Sequence, residues 1–377
     1  MIPERVVAVV FEGGNGASAI DQVMTYIRKE VTLDTCEKMQ AVPGIDEIVL
    51  CTNYPDLAAR AADMGLTVDY RGRDPDFHFG LRLREIVESR RLDNVICMGG
   101  VAAPLITGPE LAWIAGTLRE QKNVVILNNV QSADLLAFTP ASVLSEVELP
   151  RMDNFLGLTL RQAGLRRLLI PNCGRVNFDL DTPTDVMILA LQPGMGPRTK
   201  RAVAGLDWDF SRLKAAISVL EQPSSEILLT GRVGPPVVMY INMNFTHRVR
   251  VFSEERGMKA LGRDERGEVV SALGYLLETV GPGRLVEMLE TMCHVAFMDT
   301  RVIFHHLKKR LSDHDRFNSD LGRWELVTDP EVRAFTRAVR EASVPIVLGG
   351  HSLISGGLWL LAESIVAGRG ETSGFRV

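Results

Sequence analysis

Cysteine is scarce in this chain. The five residues Cys36, Cys51, Cys97, Cys173 and Cys293 are odd in number, widely spaced and mostly embedded in apolar strand-like runs. A disulfide framework is therefore excluded as the organising device, and the five read as reduced core residues. Charge of one sign is lacking as well. A formal net charge of -5, with no acidic or basic tail, argues against nucleic acid as a partner. Long uninterrupted apolar runs are also missing. The nearest approach, "PIVLGGHSLISGGLWLLAESIVAG" from Pro345, contains His351, Glu363 and several glycines where lipid would penalise them. It reads as a buried strand, turn and helix, with no membrane partner. From Arg5 the sequence moves straight into a strand pattern, without a charged n-region, a long apolar stretch and a small-residue cleavage site, so the expectation is a cytoplasmic protein.

What is present is ample material for a core. A length of 377 residues at 46% hydrophobic content exceeds what one core usually organises, which predicts two domains. Up to about residue 190, short apolar runs alternate with amphipathic stretches. "RVVAVVF", "EIVLCT", "LTVDY", "NVICMGG" and "NVVILNN" read as strands, with "ASAIDQVMTYIRKE" and "DLAARAADMG" as helices between them. This rhythm predicts an α/β fold: a three-layer, Rossmann-like, mostly parallel sheet with its ligand crevice at the carboxyl ends of the strands. Pro and Gly cluster in "LQPGMGPRTKR" and the rhythm stops there, which sets the expected domains at 1–194 and 195–377. The second is expected to be mainly helical, of α+β type. "GEVVSALGYLLETV", "GRLVEMLETMCHVAFMDTRVIFHHLKKRL" and "PEVRAFTRAVREA" read as helices there, and "PPVVMYINMNF" as a strand.

The first strand runs into the turn "EGGNG". A Walker A loop needs a Lys-Ser or Lys-Thr pair after its second glycine, and "GGNGASAI" has neither. Gly14, Gly16 and Ala19 match the looser G-x-G-x-x-A dinucleotide fingerprint, but Thr52 and Asn53 stand where its ribose-binding acid belongs. A strand-to-helix turn with no ligand is a third reading. Far along the chain, "DLDTPTDV" places Asp179 and Asp181 two apart. If a strand precedes them, they project from one face, close enough to share a magnesium ion. Thr182 suits a helix cap, Pro183 its first turn, and Asp185 the positive end of the helix dipole.

Taken in order, the opening strand and glycine turn, "PGIDEIVLCTN", "NVICMGGVAAPLITGPELAWIA" and "VNFDLDTPTDVMILAL" resemble the GT-A-like nucleotidyltransferase superfamily, including the molybdenum-cofactor guanylyltransferases and the sugar-phosphate and isoprenoid cytidylyltransferases. The resemblance covers about residues 5 to 192. It implies an NTP transferase that moves an NMP unit from an NTP to a phosphorylated small-molecule acceptor and releases pyrophosphate. It further implies nucleotide binding at Gly13, Gly14, Asn15 and Gly16, with Mg2+ held by Asp179 and Asp181 as the catalytic carboxylates. Segment ends at the mouth of the sheet supply Asn129, Asp134, Asp153 and Asn154 as acceptor-binding candidates, each with an alternative as a turn or cap residue. "RGRDPDFHFG" offers His78 and Gly80 for nucleotide recognition.

The sequence departs from that family's pattern in two places. Members carry an Arg or Lys shortly after the glycine loop, whereas here Ala17, Ser18 and Val23 occupy that region and Arg28 and Lys29 arrive later. The step that supplies a metal-binding Asp after the fourth strand reads "GGVAAPL", with Ala102 at that position. A second reading therefore stays open, a noncatalytic nucleotide-binding or assembly protein on a degenerate transferase fold. A third puts metal-dependent phosphate chemistry in the second half, where "MDTRVIFHHLKKRLSDHDRFNSDLG" gathers His305, His306 and His314 with acidic residues. The same half holds a run of arginines (Arg248, Arg250, Arg256, Arg263 and Arg266) suited to phosphate or to surface ion pairs, and a glycine-rich turn around His351 suited to an anion. The sequence leaves open whether the chain is a monomer or a homo-oligomer.

Overall fold

The computed structural model describes residues 5–130 and 132–370. The chain divides into two compact units. The first comprises Met1–Gly16, Thr25–Val176 and Gly194–Ala202, and the second Ala17–Met24, Asn177–Pro193 and Val203–Val377.

The first unit is built on a seven-stranded sheet with helices on both faces. Its strands are β1 (Val6–Glu12), β2 (Glu47–Thr52), β3 (Thr67–Tyr70), β4 (Asn94–Gly99), β5 (Val124–Leu127), β6 (Leu135–Thr139) and β7 (Arg166–Leu169). They lie in the order β3-β2-β1-β4-β6-β5-β7. Every pairing is parallel except those made by β6, which runs antiparallel to β4 and β5. Residues Val6 to Val10 are all 0% exposed because the sheet is covered on both sides. Val6, Ala8 and Val10 enter one apolar cluster, while Val7 and Val9 enter another, as period-two side-chain alternation requires. At about 1.5–3 kcal/mol for each fully buried valine-sized side chain, this run alone is a strong reason for β1 to occupy the centre. The five strands expected from sequence are present, and β6 and β7 are additions to them. β6 follows β5 after a short reversal, so no helix announces it.

The second unit has helices around a four-stranded sheet formed by β8 (Glu226–Gly231), β9 (Arg248–Ser253), β10 (Val295–Asp299) and β11 (Ile346–Gly349). The order is β11-β10-β8-β9, and all three pairings are parallel. Two expectations are corrected here. "PPVVMYINMNF" is not a strand but the helix Pro235–Asn244, whose prolines occupy the first turn, where a missing amide costs no hydrogen bond. The run read as one helix across residues 283 to 311 is broken. A helix ends at Glu290, β10 follows, and a new helix Thr300–His306 starts where Asp299 accepts the Arg301 amide. Short apolar runs satisfy both periodicities, and burial between two neighbouring strands decided for β10. The segment from Pro345 forms β11, a turn and the helix Leu358–Gly368. Among the described residues no helix is long and apolar enough to cross a membrane.

Both sheets have a point where the chain reverses its direction of travel. In the first unit β1 leads outward through β2 to β3, whereas β4 leads the other way, so connections diverge from the carboxyl ends of β1 and β4. In the second unit β8 leads to β9 on one side and β10 to β11 on the other. Such divergence opens a crevice outside the strand ends, the usual ligand position in open α/β sheets.

Candidate functional site

The turn carrying Gly13, Gly14, Asn15 and Gly16 leaves β1 at the diverging point of the first unit and is exposed. Asn53, just past β2, holds it. The Gly14 amide donates to Asn53 Oδ1 at 3.1 Å, and Asn53 Nδ2 donates to the Gly14 carbonyl at 3.0 Å. A Cβ on Gly13 would lie 2.8 Å from Asn53 Oδ1, and one on Gly14 2.7 Å from the Tyr54 hydroxyl oxygen. A side chain at either position would have to displace the Asn53 amide or the Tyr54 hydroxyl. Asn53, at the place where a dinucleotide site would carry its acid, serves to brace the turn.

Across the crevice floor, the Gly100 amide donates to the Phe11 carbonyl at 2.8 Å, and a Cβ on Gly100 would meet Thr32 Oγ1 at 2.3 Å and Glu12 Cβ at 2.9 Å. Glu12 is 2% exposed and takes a two-point ion pair from Arg28, at 2.9 Å and 3.2 Å. Lys29 donates to both oxygens of Asp56, at 2.7 Å and 2.9 Å, and lies 4.2 Å from the centre of the Tyr54 ring. The late cations are therefore both engaged by carboxylates. Ala102 is 1% exposed and belongs to an apolar cluster, so the position of the family's metal-binding Asp is part of the core here.

The acceptor candidates partly converge. Asn154 Nδ2 donates to Asp134 Oδ1 at 2.9 Å, and the Asp134 carbonyl accepts the Gly99 amide at 3.2 Å, which puts this pair at the carboxyl end of β4. Asp153 lies close enough for its charge to act on Cys97 in β4, whose thiol is pushed up by burial first and by that charge second. Asn129 follows Asn128, which is a buried brace: its side chain donates to the Val176 carbonyl at 2.9 Å and accepts the Leu135 amide at 3.3 Å. His78 caps the helix Phe79–Arg90, its Nδ1 accepting the Leu81 amide at 3.3 Å. Gly80 is buried, and a Cβ there would lie 2.7 Å from both Leu149 Cβ and the Pro150 carbonyl oxygen. Sequence reasoning overlooked the aromatic clasp that holds this segment at β1. The Phe11 ring packs edge-on against Phe77 and Phe79, with centroids 6.4 Å and 5.0 Å away. Asn53, Tyr54, Glu12 and Phe77 were also missed, although a polar residue closing an apolar strand was a signal for the first and third.

Asp179 and Asp181 belong to the second unit. The run before them is not a strand. Residues Gly174–Asn177 form a helical turn, so the same-face argument from strand alternation does not apply. The loop is fixed to the turn after β11, where the Asp179 amide donates to Ser352 Oγ at 3.0 Å and the Ser352 hydroxyl donates to the Asp179 carbonyl at 2.6 Å. Asp179 Oδ1 also accepts the Leu180 amide at 2.8 Å. Thr182 and Asp185 make a reciprocal capping box at the start of the helix Pro183–Ala190, with Pro183 in its first turn. Asp185 Oδ2 accepts from the amides of Asp181 and Thr182 and from the Thr182 hydroxyl, while its buried Oδ1 has no hydrogen-bond partner among the described residues. Burial, with the charges of Asp181 and Asp179 behind it, holds the Asp185 carboxyl well above the usual range. Carboxylate oxygens are the donor type that a hard divalent ion takes. Among the described residues no group of three or more His, Cys, Asp or Glu is arranged to hold a metal by itself.

No family model matches the chain, and no curated protein matches it. Solved structures similar to it include cytidylyltransferases. One, a cytidylyltransferase from Leptospira borgpetersenii serovar Hardjo-bovis, is 16% identical, spans 56% of this chain and 86% of its own, and has a TM-score of 0.34. Another is a CMP:2-keto-3-deoxy-manno-octonic acid synthetase complexed with CTP, 14% identical over 44% of this chain and 90% of that one, at a TM-score of 0.34. A third is Rv0371c from Mycobacterium tuberculosis H37Rv complexed with manganese, 18% identical over 54% of this chain and 100% of that one, again at 0.34. The likeness is one of chain path over about half of this protein.

Proposed function

We propose that the first unit is a nucleotide-binding module of a nucleotidyltransferase, which passes an NMP unit from an NTP to a phosphorylated small-molecule acceptor. An acceptor phosphate oxygen attacks the α-phosphorus, a new O–P bond forms, and the bond to the bridging oxygen breaks so that pyrophosphate leaves with the electron pair. The nucleotide binds over Gly13, Gly14, Asn15 and Gly16, with Gly80 and the His78 segment bordering it. The acceptor is met by Asn129, Asp134, Asp153 and Asn154. Asp179 and Asp181 are assigned to Mg2+. The observation that carries this reading is the glycine turn at the point where β1 and β4 diverge, with the Asp134–Asn154 pair at the carboxyl end of β4.

A noncatalytic nucleotide-binding or assembly role is the second reading. It is favoured by the core position of Ala102 and by the carboxylate partners of Arg28 and Lys29, which leave fewer cations for a departing pyrophosphate.

The test is a thermal-shift titration with the four NTPs, with and without Mg2+, followed by pyrophosphate release across a panel of phosphorylated acceptors. One NTP is expected to stabilise the protein by about 2.7 kcal/mol at a hundredfold excess over its Kd. Pyrophosphate release should need Mg2+ and be lost in a folded Asp181→Asn variant. Stabilisation without turnover would select the nucleotide-binding form of the second reading, and no stabilisation by any NTP would remove the first reading and leave only the assembly role.

A further inference from the structure

The carboxyl edge of the second sheet is chemically unlike a structural sheet edge. It presents Gly231 at the end of β8 and Arg232 after it, the loop 254–268 after β9, Asp299 at the end of β10, and Gly349 at the end of β11 with Gly350 and His351 after it. The connections of β8 and β10 diverge here, and the floor between them is a buried ion pair. Arg232 Nε lies 2.6 Å from Asp299 Oδ2, and Arg232 Nη2 lies 3.1 Å from Asp299 Oδ1. Burial works against the charged form of Asp299, but the Arg232 guanidinium outweighs it and holds the carboxyl below its ordinary value. Gly231 has φ +99°, and a Cβ on it would come within 2.6 Å of Asp299 Cβ, so the strand end is shaped around this pair.

Of the arginines in the run after β8, most are paired. Arg248 and Arg250 lie 3.6 Å and 3.8 Å from Glu226, while Arg263 and Arg266 lie 2.8 Å from Glu255 and Glu268. Arg256 differs. It is only partly exposed, and among the described residues it has no carboxylate partner. The acids beside it are already committed: Glu255 to Arg263, and Glu254 to the Ser271 hydroxyl at 2.7 Å and the Ala272 amide at 2.6 Å. Burial pushes the Arg256 guanidinium below its ordinary value. A partly desolvated guanidinium without a counter-charge is a standing cost to the fold, and an anion would offset it.

A second polar group follows β11 on the same carboxyl edge of the sheet. Nδ1 of His351 is buried and has no hydrogen-bond partner among the described residues. Burial, and then the charge of Arg232, holds this imidazole down at about 4, with Arg256 acting in the same direction and Asp299 and Asp181 against it. His351 is therefore neutral at neutral pH and can donate one hydrogen bond to an anion without adding charge.

We propose that the crevice between Arg232, Arg256 and His351 at the carboxyl edge of the second sheet binds the phosphate group of a small molecule. The planar fork of Arg256 suits two phosphate oxygens, the Arg232–Asp299 pair forms a fixed floor, and the site lies where open parallel sheets hold ligands. It uses residues of the second unit alone, so it stands whether or not the first unit takes a nucleotide.

Calorimetric titration of the full chain with inorganic phosphate, and separately with ribose 5-phosphate, in the absence of NTP and Mg2+, tests this. Saturable binding is expected, weakened at least about tenfold by Arg256→Gln, less by Arg256→Lys, and unchanged by Lys214→Gln at an exposed position of the helix Ser211–Glu221. Tighter binding of the sugar phosphate assigns the site to an organic phosphate, and equal binding assigns it to the free ion. The proposal is overturned if neither ligand saturates, if Arg256→Gln binds like the parent protein, or if Lys214→Gln weakens binding equally. Circular dichroism of each variant identifies any loss that comes from unfolding.

Discussion

Individual side chains show most clearly how position alters chemistry. Asp209 is exposed, yet the Ser211 hydroxyl and amide, with Arg340 behind them, hold its carboxyl down at about 2 from an ordinary 3.8. The Ser211 amide donates to Asp209 Oδ1 at 2.8 Å and Arg340 Nη2 donates to Oδ2 at 2.7 Å. Because the folded value is depressed, the stabilisation is present above the unfolded value and is lost as pH falls through the folded one. Asp209→Asn is therefore expected to be less stable than the parent at neutral pH, by about 0.5–1 kcal/mol for a helix-start carboxylate. That gap should close between pH 3.8 and about 2, as followed by denaturant unfolding. A gap that stays constant with pH would refute the assignment. At this scale the sequence was informative about residue types but not about partners: it showed Arg28 arriving later than the family's loop cation, and only folding revealed that Glu12 occupies it.

Glycines separate the elements that are tightly fitted from those that are not. Gly100 follows β4 with Thr32 Oγ1, Glu12 Cβ and Glu12 Oε2 all within 2.9 Å of where a Cβ would stand, and Glu12 cannot yield without disturbing its ion pair with Arg28. Gly100→Ala is expected to destabilise the protein by about 1–3 kcal/mol. Gly116 lies within the helix Gly108–Glu120 with nothing within 4 Å of a Cβ. Gly116→Ala should instead stabilise by about 0.5–1 kcal/mol. Thermal unfolding of the two variants side by side checks both, and shifts in the same direction would contradict the packing described. The elements easiest to read were runs such as "RVVAVVF" and "EIVLCT", whose β-branched residues and flanking helices leave one interpretation. The helix Pro235–Asn244 was misread because β-branched residues masked a two-proline start.

For the whole molecule, the informative feature is where the chain changes allegiance. Pro and Gly in "LQPGMGPRTKR" suggested a boundary near 194, but Asn177–Pro193 groups with the second unit and Gly194–Ala202 with the first. Thr184 Oγ1 donates to the Leu348 carbonyl at 2.6 Å, and a Cβ on Gly356 would lie 2.2 Å from the Asn177 carbonyl oxygen, so the acidic motif is built into the turn after β11. A fragment of residues 177–377 is therefore expected to unfold at a higher temperature and more cooperatively than one of 195–377. Equal unfolding would show that the motif contributes nothing to that unit and would favour the boundary near 194.

By itself, the sequence determined five of the seven strands and the glycine turn of the first sheet, and the capping role of Thr182 and Asp185. Those depend on side-chain periodicity and on neighbours a few residues away, which local spacing encodes. Tertiary structure alone decided that Ser352, 173 positions away, fastens Asp179, that Asn53 braces the glycine turn, and that Arg256 has no carboxylate partner among the described residues while its neighbours in sequence are paired. Each of these depends on which groups share a low-dielectric space after the chain has closed on itself, and one-dimensional spacing carries no record of that.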